Sequence, residues 1–196
     1  QSIRHESVHQ MRRSGYAYIP EDRLRQGVGA SGSISDNLIA NRYSDQFSRR
    51  GMLDKREIQQ FSSQCITDYE IKCANAKVAV STLSGGNMQK VVVARECSGD
   101  PKVIIAEQPT RGIDVGAAYV VHKKLFDLRD RGVAILLISA DLSEVLRVCD
   151  QLMVMYDGEI VAYFDDIQSV QEEELGLYML GLKRHTPDQI KEAIHA

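Results

Sequence analysis

Two short apolar runs, Val103-Ile104-Ile105 and the stretch from Val133 to Ile138, constrain what this chain can fold into more than any other feature. Both are β-branched or aliphatic throughout, which is the pattern of strands buried on both faces of a parallel sheet. Between them, residues 117–131 carry Val121, Leu125 and Leu128 at helical spacing, and Gly132 is placed to end that helix. The order strand, crossover helix, strand is therefore expected. With 43% hydrophobic residues in 196, the chain can build a core of one domain's size.

The flanking segments read as follows. Residues 2–14 form a polar helix, and Tyr16-Ala17-Tyr18-Ile19 a short strand that Pro20 stops. After a Gly/Ser-rich turn over residues 27–33, residues 34–63 read as polar and helical, capped by Ser35 or Asp36. Residues 77–83 lead into Ser84-Gly85-Gly86, and a helix follows over residues 87–97. Further on, a helix is expected over 141–148 and a strand over 152–155. Asp157-Gly158 is a hairpin turn signal leading to a strand at 160–164, and the tail from Gln168 is helical, fraying after Pro187. The expected fold class is α/β, with a core from residues 1–33 and 99–196 and a helical insertion at 34–98.

Charge excludes one function class. With 24 Lys+Arg against 27 Asp+Glu, a net charge of -3 gives no electrostatic case for nucleic acid. No run approaches the roughly 18 apolar residues of a spanning helix, so any membrane would be crossed by a partner. Cys65, Cys73, Cys97 and Cys149 show no CxxC pair, which suggests neither a zinc knuckle nor a disulfide framework. Met153 and Met155, alternating on a strand, are expected in the core. Tyr16 and Tyr18 read as strand or core residues, and His122 as a surface or interface residue with no assigned role.

Leu83-Ser84-Gly85-Gly86-Asn87-Met88-Gln89-Lys90 carries the strongest chemical signal. A serine and two glycines opening a helix leave backbone N–H groups unpaired, where the helix dipole favours an anion such as phosphate. A capped helix after a glycine turn would give the same letters. What separates the two readings is the sequel, Val103-Ile104-Ile105-Ala106-Glu107-Gln108-Pro109-Thr110-Arg111-Gly112-Ile113-Asp114. A carboxylate there stands at the carboxyl edge of a parallel sheet, where such folds bind ligands.

These two segments resemble the signature and the Walker B/D-loop motifs of ABC ATPases. Ile19-Pro20-Glu21-Asp22-Arg23, PTRGIDVGA and Val154-Met155-Tyr156-Asp157-Gly158 further resemble the second domain of the fused double-domain ATPases that energise simple-sugar and nucleoside importers. The resemblance runs from about Gly15 to Leu182. It implies a RecA-like core with an inserted helical subdomain, and ATP with magnesium as cofactors. It implies that Ser84, Gly85 and Gly86, with Asn87 next in the signature, reach the γ-phosphate of ATP held by an opposing domain. Asp114 matches the D-loop aspartate at that interface. The implied partners are the other ABC domain of the same polypeptide, membrane permease subunits and an extracytoplasmic solute-binding protein, at the cytoplasmic face of the membrane, with residues 34–63 facing the permease.

The departures from the pattern matter equally. Glu107 stands at the magnesium-holding aspartate of Walker B, and Gln108 where the next glutamate polarises water; glutamine cannot take a proton. Ala140 occupies the switch-histidine position, and Glu21 the Q-loop glutamine. The sequence contains no GxxxxGK[ST], whose backbone cradle and lysine hold the phosphates. Because the resemblance starts just upstream of the Q-loop position, it implies that the loop lies N-terminal to Gln1: a truncated RecA-like core with a degenerate hydrolysis site is expected, its uncovered sheet available for self-association. Three alternatives stand beside this. One is a non-catalytic module that docks a permease. Another is a soluble ABC ATPase of repair or translation, which should bring coiled-coil or basic insertions that are absent. The third is a zinc metallopeptidase, from His5-Glu6-Ser7-Val8-His9 as HExxH, although the segment lacks apolar helix flanks and a third ligand.

Overall fold

The structure, a computed structural model, describes residues 5–167 and 170–195. They fall into two compact units that divide between Ile138 and Ser139. In the first, α1 (Val8–Arg13) precedes β1 (Tyr16–Ile19), followed by a π-helical turn (Arg23–Gly27) and α2 (Ile34–Ile39). A hairpin of β2 (Ser48–Arg49) and β3 (Met52–Leu53) leads to α3 (Lys55–Asp68). A 3-10 turn (Val80–Thr82), α4 (Gly85–Cys97), β4 (Val103–Glu107), α5 (Val115–Arg129) and β5 (Ala134–Ile138) complete the unit.

The sheet has the order β1-β4-β5, parallel throughout. Strand pleating puts Ala17, Ile104 and Ile135, then Ile19, Ala106 and Leu137, on one face, and α4 and α5 cover it. The expected burial of both faces is not found. Tyr18, Ile105 and Leu136 share a row on the opposite face, where Tyr18, Leu136 and Ile138 are all exposed. The apolar runs therefore alternate in burial although their sequence does not.

Helix α4 is buried from Gln89 to Cys97, with Val91-Val92-Val93 in the core and Gln89, Lys90, Arg95 and Glu96 enclosed beside them. Packing overrides the weak helix propensity of valine here. Its three buried charges are all engaged, Lys90 Nζ donating to the Glu70 carbonyl at 3.0 Å. Glu96 accepts from Arg12 Nη1 at 2.6 Å, Arg95 Nε at 2.8 Å and the Tyr18 amide at 3.3 Å, while Arg95 Nη1 donates to the Gly27 carbonyl at 2.7 Å. Burial pushes the Glu96 carboxyl up. The hydrogen bond and charge of Arg12, with the charge of Arg95, outweigh that and hold it below the usual carboxylate range.

Several expectations need correction. The first helix starts at Val8 with Ser7 as its extended N-cap, so His5 lies outside it and cannot stand one helical turn from His9; residues 2–4 of the expected helix lie outside the described residues. Ser33, not Ser35 or Asp36, caps α2, and Asp36 closes the capping box at N3. Residues 34–63 are not one helical pattern. Arg50 (φ 52) and Gly51 (φ 80) both take left-handed conformations, which suits a two-residue hairpin, and Asp54 then caps α3. His122 is buried on α5 rather than exposed.

The second unit comprises α6 (Leu142–Val148), the antiparallel pair β6 (Leu152–Tyr156) and β7 (Glu159–Phe164), α7 (Glu172–Met179) and α8 (Pro187–His195). Asp157 (φ 51) and Gly158 (φ 78) form the expected turn. Val154, Val161, Ala162, Leu175 and Tyr178 make its core, with Tyr178, Phe164 and His185 rings 5.0–5.5 Å apart in edge-on contact. Met153 and Met155 are 43% and 65% exposed: they lie on the outer face of the hairpin, not in the core. Pro187 opens α8 instead of fraying the tail, because the first helical position needs no N–H, and the Thr186 hydroxyl accepts from the Gln189 amide.

Candidate functional site

Three segments of the first unit converge at the carboxyl end of β4: residues 20–27, residues 84–88 and residues 107–117. Glu107 is the last residue of β4 and half-buried. The Tyr18 hydroxyl donates to Glu107 Oε2 at 2.5 Å, and this bond, helped by burial and the carboxylate charge, raises the Tyr18 pKa. Gln108 follows in a left-handed conformation (φ 46), with its amide donating to the Ile138 carbonyl at 2.8 Å. A non-glycine residue held there stores backbone strain of roughly 1–2 kcal/mol.

Beyond Gln108 the chain turns. The Arg111 amide donates to the Gln108 carbonyl at 3.0 Å, Gly112 takes φ 65, and the Arg111 guanidinium pairs with Glu21. Asp114 is exposed and caps α5, accepting from the Ala117 amide at 2.9 Å. Backbone amides, that of Ala117 first, hold its carboxyl below the usual range.

Ser84 is the N-cap of α4, exposed, with Oγ 3.4 Å from the Asn87 amide. Among the described residues no acceptor meets the amides of Gly85 and Gly86. Gly86 has no room for a side chain: a Cβ would stand 2.8 Å from both Ala117 Cβ and Asp114 Oδ2. Asn87 is engaged within the chain, its Oδ1 accepting from the Lys72 amide at 2.9 Å and its Nδ2 donating to Ser84 Oγ at 3.0 Å. The side chain expected to meet a ligand is thus a brace for the turn.

Sequence reasoning placed Glu21, Ser84, Gly85, Gly86, Asn87, Glu107, Gln108 and Asp114 in this region, and the fold gathers all eight in the first unit. Ala140 is exposed in the second unit, next to Asp141, which caps α6. Two participants were missed, Tyr18 and Arg23. Parallel pairing of β1 with β4 was the available signal for Tyr18, since it brings the two strand ends side by side; nothing in the letters marked Arg23 as a contact of residues 111 and 112.

Other chemistries find little footing. Among the described residues no group of three or more His, Cys, Asp or Glu could hold a metal ion. The four cysteines are free thiols. Burial pushes Cys97 up to about 12 and Cys149 to about 11, and raises Cys65 and Cys73, so none is an activated nucleophile at neutral pH. Among the described residues no helix is long and apolar enough to cross a membrane.

The α/β fold, with its parallel sheet, is that of the ATP-binding cassettes. MJ1267, an ATP-binding cassette of an ABC transporter, superposes with a TM-score of 0.70 at 18% identity, over 92% of this chain and 72% of that one. The cassette MJ0796, solved as a dimer bound to ADP and Pi, gives 0.65 at 19% identity over 82% and 66%. No protein-family model matches the chain.

Among curated proteins, the chain is 40% identical over 169 residues to the guanosine import ATP-binding protein NupO of Bacillus subtilis, covering 86% of this chain and 33% of that protein. It is 37% identical over 165 residues to the nucleoside import ATP-binding protein NupA of Lactococcus lactis, covering 84% and 32%. It is also 37% identical over 163 residues to the xylose import ATP-binding protein XylG of Brucella abortus, covering 83% and 32%. The chain thus spans about a third of the length of these relatives.

Proposed function

We propose that this chain is the second nucleotide-binding domain of a fused ABC importer ATPase for nucleosides or simple sugars, and that it lends its Ser84–Gly86 turn to ATP held by the partner domain. The observation that carries the reading is the turn itself: an exposed serine cap and two glycine amides without an acceptor, at the positive end of a 13-residue helix. A guanosine and a nucleoside importer among the relatives, with Val154-Met155-Tyr156-Asp157-Gly158, favour a nucleoside cargo.

In this reading the domain's own site is weak. Glu107 suits magnesium as one oxygen ligand, since that ion is bound through one or two carboxylates with phosphate and water completing the shell. The ion would neutralise phosphate charge there. Gln108 offers no base for the attacking water, and Ala140 no donor to phosphate. Asp114 contributes by fixing the start of α5 beneath Gly86, and Glu21 by holding Arg111.

The remaining assignments follow from the same reading. Residues 34–98 are the helical subdomain, and a groove of about 890 Å³ there, lined by Ile39, Leu53, Ile58, Ile66 and rimmed by Lys55 and Lys77, is the surface offered to the permease. A solute-binding protein delivers the cargo, and the assembly sits on the cytoplasmic face of the membrane. The exposed sheet face at Tyr18, Leu136 and Ile138 is where this chain self-associates when it stands alone.

The test is made in the complete polypeptide. Ser84→Arg, which fills the turn with a long side chain, is expected to lower ATPase activity at least tenfold while nucleotide binding by the partner domain persists. Unchanged turnover would sink the helper role.

A further inference from the structure

We infer that Arg23 is a positioning residue of the composite site, a clamp that fixes the 108–114 loop and the Ser84–Gly86 turn to the segment that follows β1. The inference rests on the proposal that this turn meets a partner's nucleotide, but the clamp is a physical claim that can be tested without it.

Arg23 opens the π-helical turn over 23–27, whose start Asp22 caps by accepting from the amides of Leu24 and Arg25 at 3.1 and 3.0 Å. That turn is anchored from behind. Gly27 lies against α4, where a Cβ would meet Val92 at 3.1 Å, and its carbonyl accepts the buried Arg95 guanidinium at 2.7 Å. The base of Arg23 is therefore held by the core.

From that base the guanidinium reaches the loop after β4. Nη1 donates to the Arg111 carbonyl at 2.8 Å and Nη2 to the Gly112 carbonyl at 3.2 Å. Two parallel N–H groups meeting two successive carbonyls use the fixed fork of guanidinium, which a lysine ammonium cannot reproduce. Nε is enclosed without an acceptor. Leaving a buried donor unmet is unfavourable, so the side chain's position is dictated by the carbonyls and not by its own full satisfaction. The Glu21–Arg111 ion pair ties the same two segments a second time.

The third member is the turn. A Cβ on residue 85 would stand 2.9 Å from Arg23 Nη2, so the guanidinium fills the space beside Gly85. Gly86 meets Asp114 and Ala117 from the other side. The turn is thus gripped between the Arg23 fork and the start of α5. A loop holding two left-handed residues, Gln108 and Gly112, would otherwise have many alternatives to the conformation seen. In the proposed reaction the clamp carries no charge to substrate; it keeps the Gly85 and Gly86 amides aimed.

The experiment has two arms. On this chain, hydrogen exchange followed by mass spectrometry compares wild type, Arg23→Lys and Arg23→Gln with a Gly85→Ala series. Both Arg23 variants are expected to raise exchange at least tenfold in peptides covering 110–116 and 84–88, with the β4 and mid-α4 peptides unchanged. Gly85→Ala should raise exchange in the same peptides on the wild-type background and add no further rise to that of Arg23→Gln, because the colliding group is gone. Unchanged exchange in both Arg23 variants, or additive effects of the two substitutions, would overturn the clamp.

In the complete polypeptide, Arg23→Lys is expected to lower kcat five- to twentyfold with KM for ATP within twofold, since alignment and not nucleotide capture is lost. A rise in KM with kcat preserved would overturn the positioning role. If exchange rises as stated while Ser84→Arg leaves turnover untouched, the clamp stands and the helper function falls.

Discussion

Gly86→Ala puts the close approach of α4 and α5 to a quantitative test. The new Cβ would meet Ala117 Cβ and Asp114 Oδ2 at 2.8 Å. Carbon contacts are optimal near 3.5–4.0 Å, so the two helix starts must part by roughly 1 Å. Neither obstacle can swing aside: one is a β-carbon on a helix, the other a carboxylate pinned by the Ala117 amide. Overpacking of this kind costs about 1–3 kcal/mol, against which Gly→Ala in a helix returns at most about 1 kcal/mol. Set against each other these leave a net loss of up to about 2 kcal/mol, which at a urea slope near 2 kcal/mol/M lowers the midpoint by up to about 1 M. Urea titration followed by far-ultraviolet circular dichroism reads this directly. A midpoint above wild type would refute the reasoning.

Gly176, inside α7 with nothing within 4 Å of a prospective Cβ, gives the opposite sign: Gly176→Ala should stabilise by about 0.5–1 kcal/mol, checked by thermal unfolding. Glu96→Gln leaves Arg12 and Arg95 without a buried counter-charge and is expected to cost about 3–5 kcal/mol in the same urea assay. Because the folded carboxyl of Glu96 is depressed, its contribution is complete above the usual carboxylate pKa and is lost as pH falls through the lower folded value; stability curves of wild type and Glu96→Gln should converge on acidification. Glu107→Gln removes the anion that accepts from Tyr18, so the Tyr18 phenol should titrate at lower pH, seen as phenolate absorbance missing from a Tyr18→Phe control.

The legible parts of the fold were those fixed by local chemistry. The Asp-Gly hairpin, the serine and glycines opening α4 and the strand–helix–strand unit follow from turn, cap and periodicity rules that act within a few residues. Long-range matters escaped. Nothing in Val133 to Ile138 distinguishes a strand covered on both faces from one covered on one, because burial depends on what lies against it. Met153 and Met155 misled for the same reason. The hairpin at Arg50-Gly51 was hidden in polar sequence lacking alternation. In the site, the letters located the residues but not their engagements: Asn87 braces its own turn, Asp114 caps α5, and Tyr18 and Arg23 gained roles through contacts 89 residues or so along the chain.

The account depends on a turn that serves a neighbour beside a pocket that cannot hydrolyse by itself. Turnover of magnesium-ATP by this chain alone, followed as phosphate release at millimolar nucleotide, weighs that most directly. No release above buffer is the result the account predicts. Release at about 1 s⁻¹ or faster, within the ordinary range for enzymes, would contradict it.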